Sequence, residues 1–409
     1  MVYWQYGKEY TRDNGEKMIK IGILTYHRSI NYGAVIQAYA LSCRISEIAD
    51  VQVEIIDYMS KKMDIYYKLF TIYRGKNGLL RLGDRITMYK AFSNSMINLP
   101  LTKDRLISDN IFQFFNFIKD RYDVIVVGSD AVWNYEKRGL PNPYFLTGKT
   151  NARKVSFAAS CNGIHYDSLN SEKLAILRDA FSCFEYIGVR DILTKRVVAD
   201  AMGFEKAVHN CDPTLLLDFE KDGLGEKFVD RLKEKLVKKY GLDSKGKYIG
   251  LMLSNLNGDL EKTLVEKLKQ RYRNDYQIVS IYSYCRYADI PYLADLTPFE
   301  CSRIFSLFKI TFSKYFHGTL LSLMNRTPVI ALSAENHIEG IPAKVEDVLI
   351  RLDLMDMFWP ATNSTDIQWD ALMEIVDSLI QCSPIERINT GIKKERSTAD
   401  SFFEFLRSI

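Results

Sequence analysis

The sequence predicts an α/β protein with two Rossmann-like, doubly wound domains that face each other across a cleft. Short apolar segments, typical of buried parallel strands, alternate with helix-like segments. This alternation occurs in residues 19–216 and again in 247–360, on either side of a charged helical connector at 217–246. A chain of 409 residues also exceeds the size at which one hydrophobic core usually stops growing.

Composition and charge exclude several functional classes. The 55 Lys and Arg against 51 Asp and Glu leave a net charge of +4, which is too balanced to indicate a nucleic-acid-binding protein. Seven cysteines with no C-x-x-C pair fit neither a disulfide framework nor a zinc site, and favour a reducing, cytoplasmic location. The leader at 1–18 lacks the pattern of a signal peptide, and no apolar run is long enough to span a membrane.

The first domain is predicted from its apolar strands and the helices between them. "IKIGILTY" opens it as a buried strand, the loop "HRSINYG" follows, and "VIVV" is a second fully apolar strand. Proline at 213 discourages continuation of the last, short strand of this domain. The predicted elements are strands at 19–26, 51–58, 124–127, 154–160 and 186–189, and helices at 34–49 and 171–184.

The second domain repeats the alternation after the charged connector. Its predicted strands lie at 247–253, 276–283, 309–313 and 328–333, and its predicted helices at 259–272, at 298–308 and from residue 317 onward. A C-terminal helical segment at 361–409, with its main helix at 369–382, closes the chain.

Four loops are candidates for ligand binding because ligands of such sheets bind outside the carboxyl ends of the strands. Each loop combines a glycine with polar side chains. The candidates are Asn31, Tyr32 and Gly33 of "NYG", Ser129 and Asp130 of "GSD", Arg190 of "GVRD", and His317, Gly318 and Thr319 of "FHGT".

The "FHGT" stretch joins a predicted strand to a predicted helix. The unpaired N–H groups at a helix start favour an anion such as phosphate or carboxylate, and a histidine there can exchange a proton with it. The alternative is that His317 caps the helix and packs against the protein.

The other candidates also have two interpretations. The guanidinium of Arg190 suits bidentate binding of carboxylate or phosphate, but it also suits a surface ion pair with Asp191. "GSD" is compatible with a ligand-contacting strand end and with a helix cap. Trp133 is expected in the core rather than as a stacking surface for a sugar.

Several common motifs are absent from the sequence. It contains no G-x-G-x-x-G fingerprint, no Walker A sequence, no G-x-S-x-G elbow and no metal-spaced histidine cluster. No metal and no resident cofactor is therefore predicted.

Six stretches together resemble the polysaccharide pyruvyl transferase family, over residues 19–335. They are "IGILTYHRSINYGAVIQAYAL", "YDVIVVGSDAVWN", "KVSFAASCNG", "IGVRD", "CDPTLLL" and "FHGTLLSLMNRTPVIAL". The resemblance implies a fold similar to the GT-B glycosyltransferases. It also implies transfer of a pyruvyl group from phosphoenolpyruvate to a hydroxyl pair of a glycan, giving a cyclic ketal. The acceptor would be a cell-surface glycan, such as capsule or exopolysaccharide, or its lipid-linked precursor.

The resemblance also implies roles for individual residues. Arg190 and His317 fall on the family's arginine and histidine that contact phosphoenolpyruvate, and the "NYG" and "GSD" loops line the same cleft. We expect His317 to act as proton donor, and Asp130 to act as base for the sugar hydroxyl. The chain departs from the family's usual T-D-S-F-H-G because Lys314 replaces the acid and Tyr315 the small residue. Lys314 is then expected to add an anion contact.

Two other functions fit the same sequence. One is a GT-B-type glycosyltransferase that uses a nucleotide sugar, because a fold does not determine its chemistry. The other is a catalytically silent sugar-binding or scaffold protein, which the departure at Lys314 and Tyr315 motivates.

The basic, tyrosine-rich stretch at 61–90 has two interpretations as well. It is either a solvated helical pair with its tyrosines packed inward or a peripheral contact with the anionic inner membrane surface.

Overall fold

The computed structural model describes residues 18–73, 81–140, 142–253, 258–272, 275–333, 341–360 and 367–409. The predicted leader therefore lies outside the described residues, apart from its last position. The chain divides into two compact units. Unit 1 comprises Met1–Gly83, Phe92–Leu217 and Arg396–Ile409, and unit 2 comprises Asp84–Ala91 and Asp218–Glu395.

Unit 1 is built on a parallel sheet whose strand order is β2-β1-β5-β6-β7-β8. Its strands are β1 (Ile19–Leu24), β2 (Val51–Ile55), β5 (Val124–Val127), β6 (Arg153–Ala159), β7 (Tyr186–Val189) and β8 (Val208–His209), and β3 (Tyr58–Met59) pairs separately with β4 (Leu106–Ile107). Every residue of β5 and β7 is buried, which explains their uninterrupted apolar sequences.

Helices alternate with these strands along the chain, and the first and last of them pack against β2 and β7. They are α1 (Tyr32–Ser46), α2 (Lys61–Tyr73), α3 (Leu82–Ser95), α4 (Ile111–Ile118), α5 (Tyr135–Arg138), α6 (Ser171–Ser182), α7 (Ile192–Met202) and α15 (Asp400–Arg407). Of α3, the residues Asp84–Ala91 belong to unit 2. Trp133 is fully buried and packs against the rings of Phe145, Phe181 and Phe184, so its predicted place in the core is confirmed.

Unit 2 repeats this plan with a parallel sheet of order β10-β9-β11-β12-β13. The strands are β9 (Lys247–Met252), β10 (Tyr276–Ser280), β11 (Phe308–Ser313), β12 (Val329–Ser333) and β13 (Phe358–Pro360). The helices are α8 (Glu226–Tyr240), α9 (Gly258–Tyr272), α10 (Pro298–Ile304), α11 (Phe316–Met324), α12 (Lys344–Leu352), α13 (Trp369–Gln381) and α14 (Ile385–Ser397).

The predicted α/β class with parallel sheets is confirmed, and most predicted elements differ from the observed ones by one to three residues at their ends. The contacts of residues 396–409 group them with unit 1, although the sequence suggested a separate C-terminal segment. None of the helices in the described part of the chain is both long and apolar enough to cross a bilayer.

The basic stretch forms the expected helices α2 and α3, but its apolar side chains are not all packed inward. Ile65, Tyr66 and Leu69 of α2 are exposed, and Tyr89 of α3 is exposed as well. The segment 74–80 between the two helices, and the side chains of 70–73, lie outside the described residues.

Candidate functional site

The loop after β5 brings Asp130 to the carboxyl edge of the unit 1 sheet. Gly128 has φ +119°, and a Cβ there would lie 2.2 Å from the carbonyl oxygen of Phe157, so the chain can take this path only with glycine. The carbonyl of the adjacent Ser129 accepts a hydrogen bond from Thr25 Oγ1 at 3.0 Å, and the hydroxyl of Ser129 donates to buried Gln37. Ser129 thereby fixes the loop, and the Asp130 side chain remains partly exposed.

Arg190 follows β7 and is buried among carboxylates. Its guanidinium donates from Nη1 to Asp212 Oδ2 at 3.0 Å, and its Nη2 lies 3.8 Å from Asp130 Oδ1. Burial by itself would lower the pKa of Arg190, but the negative charges of Asp212, Asp130 and Asp191 more than offset this and raise it. Arg190 therefore belongs to a buried charge cluster, and the alternative interpretation as a surface pair with Asp191 does not hold. The arginine connects the loops that follow β5, β7 and β8.

The two remaining carboxylates of this cluster also fix the ends of local elements. Asp191 caps α7, because its Oδ1 accepts from the Thr194 amide at 2.9 Å and from the Thr194 hydroxyl at 2.7 Å. Asp212 accepts from the Thr214 amide at 2.9 Å with the oxygen that does not face Arg190. Sequence reasoning missed Asp212 as the partner of Arg190, and its signal was the Asp-Pro pair that follows the short strand β8.

The "NYG" residues are placed at the start of α1. Asn31 caps the helix by accepting from the Gly33 amide at 3.0 Å. Tyr32 is buried, and its ring centroid lies 4.7 Å from that of Phe92. Through these contacts the "NYG" residues fix the start of α1 in the fold.

A second buried charge cluster follows β1, and sequence reasoning did not single it out. Fully buried His27 lies with Nε2 3.1 Å from Asp57 Oδ1, and Arg28 donates to both oxygens of the same carboxylate at 2.5 Å. Burial by itself would raise the pKa of Asp57, but the hydrogen bonds and charges of Arg28 and His27 lower it to about 2. The cluster orients Arg28 toward a cavity of about 420 Å³ that lies within unit 1.

In unit 2, His317 occupies the first turn of α11. The helix begins directly after the carboxyl end of β11, and the His317 side chain is nearly buried beside the ring of Phe316, with centroids 5.3 Å apart. The Thr319 hydroxyl donates to the Tyr315 carbonyl at 3.1 Å, so it satisfies the helix backbone.

Because Gly318 has no side chain, the start of α11 packs closely against the carboxyl ends of β9 and β11. A Cβ at this position would lie 2.3 Å from Ser313 Oγ and 2.6 Å from Met252 Sδ. Ser313 also closes a tight turn, because its hydroxyl accepts from the Tyr315 amide at 3.1 Å.

The two positions that depart from the family's motif lie in this turn. The amide of Lys314 donates to the Met252 carbonyl at 3.2 Å, and the Lys314 side chain is half-buried. The ring of Tyr315 contacts Tyr282 edge-on, with centroids 4.7 Å apart. The candidate residues Arg190, Asp130, Ser129 and those of "NYG" thus belong to unit 1, whereas His317, Lys314, Gly318 and Thr319 belong to unit 2.

Comparison with known protein families identifies the chain. The family model described as polysaccharide pyruvyl transferase matches residues 31–336, which contain every candidate residue predicted from the sequence. The chain belongs to the polysaccharide pyruvyl transferase family. The resemblance found in the six motifs is therefore confirmed. A comparison with curated proteins gives no significant match.

Solved structures support the fold of this family member. The UDP-GlcNAc 2-epimerase from Neisseria meningitidis, bound to UDP-GlcNAc, aligns with a TM-score of 0.53 at 11% identity, covering 96% of this chain and 100% of that one. The UDP-GlcNAc 2-epimerase from Methanocaldococcus jannaschii aligns with a TM-score of 0.52 at 13% identity, covering 94% and 99%. At these identities the likeness concerns the fold alone, and it confirms the predicted GT-B-like class.

Proposed function

We propose that this family member transfers pyruvate from phosphoenolpyruvate to a hydroxyl pair of a glycan and forms a pyruvate ketal. The acceptor is a cell-surface glycan or its lipid-linked precursor. The family match over residues 31–336 carries this proposal. It is supported by the position of Asp130 and Arg190 at the carboxyl edge of a parallel sheet, where ligands of such folds bind.

The reaction needs one proton donor and one base. The methylene carbon of phosphoenolpyruvate takes up a proton, and a sugar hydroxyl attacks the resulting oxocarbenium-like carbon. A second hydroxyl then forms another C–O bond to this carbon, the C–O bond to phosphate breaks, and the departing phosphate takes the proton of this hydroxyl. We assign the donor to His317 and the base to Asp130, since both are groups that exchange protons in enzymes.

Binding of the donor substrate requires positive charge and N–H groups against a carboxylate and a phosphate. We assign Arg190 to this task, together with the amides at the start of α11. The charge of Arg190 is already offset by Asp130 and Asp212, at 3.8 and 3.0 Å. A further cation is therefore needed, and Lys314, which replaces the family's usual acid, provides it.

Mass spectrometry tests the proposed reaction directly. Full-length protein is incubated with phosphoenolpyruvate and a panel of free and lipid-linked glycans, and phosphate release is followed in parallel. A glycan mass gain of one pyruvylidene group, abolished in Asp130→Asn, is the expected result. Sugar binding without phosphate release would instead identify a silent sugar-binding protein. A rise in the melting temperature of the protein on addition of a nucleotide, together with transfer of a sugar from a nucleotide sugar to the glycan, would identify a glycosyltransferase.

We also propose that the protein works in the cytoplasm, in peripheral contact with the inner membrane surface. Seven free cysteines support a reducing compartment. Exposed Ile65, Tyr66 and Leu69 on α2, with Lys61 and Lys62 in its first turn, support the membrane contact, because each surface Lys contributes about 1 kcal/mol near an anionic bilayer.

Vesicle sedimentation tests the membrane contact. We expect the protein to sediment with vesicles that contain acidic lipid, and the variant Ile65→Ser/Leu69→Ser to remain in the supernatant. Sedimentation that does not depend on acidic lipid, or that the double variant retains, would refute the contact.

A further inference from the structure

The cavity in unit 1 combines tyrosine rings with basic side chains. Its volume of about 420 Å³ lies within the range of roughly 300 to 1,000 Å³ found for small-molecule sites. Its lining comes from five parts of the chain, namely the loop after β1, the strand β3, the helix α2, the start of α4 and the region of α5. The residues that matter for recognition are Tyr26, Arg28, Tyr58, Tyr67, Arg138 and Tyr144.

Arg138 is half-buried in this lining, and its nearest electrostatic partners are tyrosines. Its guanidinium lies 4.4 Å from the centroid of the Tyr26 ring, and Tyr144 and Tyr67 are its next partners. Burial raises the pKa of Tyr67 to about 12 and that of Tyr26 and Tyr144 above their usual range, so these phenols are neutral. They therefore do not balance the charge of Arg138.

Some of the carboxylates near the cavity are hydrogen-bonded to other groups, and the basic side chains around the cavity outnumber them. Asp57 neutralises Arg28 through two hydrogen bonds. Glu136 accepts from the His165 amide at 2.8 Å and from the Ser168 hydroxyl at 2.7 Å. Glu136 keeps its charge and Asp109 also lines the cavity, but Lys62 and Lys137 in the lining offset these two carboxylates, so the charge of Arg138 remains. The cavity thus retains positive charge, and no ion pair joins Arg138 to a carboxylate among the residues that the structure describes.

The aromatic walls suit a sugar ring. Tyr26 and Tyr144 meet edge-on with centroids 4.8 Å apart, and Tyr58 lies 6.0 Å from Tyr144. Tyrosine offers an apolar face for the C–H surface of a pyranose and a hydroxyl for its polar rim. The cavity lies near the side chain that we assign as base, because Thr25, which lines the cavity, donates to the carbonyl of Ser129, the neighbour of Asp130, at 3.0 Å.

We propose that this cavity binds the acceptor as a pyranose that carries an anionic group, with Arg138 on the anion and the tyrosines around the ring. The identification of the bound sugar as the acceptor rests on the proposed function, whereas the binding itself does not. Two kinds of anionic group offer the same charge and hydrogen-bond acceptors to Arg138. They are the carboxylate of an acidic sugar and the phosphate that links a sugar to its carrier.

Binding measurements on the full-length protein without phosphoenolpyruvate test the proposal. The probes are methyl glucuronide, glucose 1-phosphate, methyl glucoside and inorganic phosphate, each titrated by calorimetry or ligand-observed NMR. We expect at least one anionic sugar to bind about tenfold or more tightly than methyl glucoside, because a hydrogen bond to a charged group strengthens binding by about this factor or more.

Two variants connect this preference to Arg138. Arg138→Gln should remove it, and Arg138→Lys should restore part of it. Arg121→Gln is the matched control, since Arg121 also lies over an aromatic ring, 4.5 Å from the centroid of Phe117, but does not line the cavity. The control should bind like the parent protein.

Each outcome decides the proposal. A preference for the glucuronide identifies a carboxylate, and a preference for glucose 1-phosphate identifies a phosphate. Equal binding of methyl glucoside, or a preference that Arg138→Gln retains, overturns the proposal. Inorganic phosphate that binds as tightly as glucose 1-phosphate overturns its sugar component. Because no donor is present, these results do not depend on whether the protein transfers pyruvate.

Discussion

Replacement of Asp57 by asparagine is expected to destabilise unit 1 by roughly 2 kcal/mol at neutral pH. The Asp57 pKa lies at about 2, compared with 3.8 for an ordinary aspartate. One pH unit corresponds to about 1.4 kcal/mol, so the folded state favours the charged carboxylate by about this amount. Asparagine cannot accept from Arg28 and His27 as a carboxylate does, and that stabilisation is lost.

The pH dependence follows from the lowered pKa. A carboxyl group with a lowered pKa in the folded state contributes its full stabilisation above the pKa of the unfolded chain. It loses this contribution as the pH falls through the folded pKa. For Asp57 the loss extends from about pH 4 to about pH 2, so the difference between the parent protein and Asp57→Asn should be roughly halved at pH 3.

Calorimetric melting at pH 7 and pH 3 measures the effect. In a unit of this size, we expect Tm at pH 7 to fall by roughly 4 to 8 °C for a loss of this magnitude. Asp104→Asn is the matched control, because the Asp104 side chain is 67% exposed and pairs with Arg121 at the surface. Equal shifts for the two variants at pH 7, or an Asp57→Asn shift that is as large at pH 3, would refute the reasoning.

Three further changes test the site. His317→Gln should lower phosphate release from phosphoenolpyruvate about 100- to 10,000-fold with Tm unchanged, and a rate within a few-fold of the parent protein would argue against a proton donor at this position. Arg190→Lys keeps a positive charge but not the planar guanidinium, so we expect a higher KM for phosphoenolpyruvate and a lower Tm, whereas an unchanged KM would remove Arg190 from donor binding. Gly318→Ala should lower both Tm and turnover because its Cβ would lie 2.3 Å from Ser313 Oγ, whereas the control Gly83→Ala meets no atom within 4 Å and should alter neither; similar effects of the two would contradict the close contact at α11.

The positions of the candidate residues along the fold could be predicted from the sequence. The runs at 124–127 and 186–189 are strands because each is buried on both faces, and such strands need apolar residues throughout. Asp130 and Arg190 follow these strands directly and therefore had to lie at the carboxyl edge of the sheet. The order of the six motifs was enough to identify the family.

The partners of these residues could not be predicted in the same way. Arg190 pairs with Asp212 and Asp130, rather than with its neighbour Asp191, because the sheet order places the loops after β5, β7 and β8 at one edge. His27 likewise contacts Asp57 through the adjacent strands β1 and β2. Local sequence does not encode which distant carboxylate a cation meets.

The sequence by itself determined the fold class, the family and the strand ends that carry the candidate residues, since these follow from local apolar patterns and motif order. The tertiary structure alone decided which charges are paired and which cavity they surround. It brought Arg138 over the ring of Tyr26, far away in the chain, and left it with tyrosines instead of a carboxylate. The physical reason is that strand patterns arise from burial of each segment, whereas charge pairing depends on the distances between segments after they have packed.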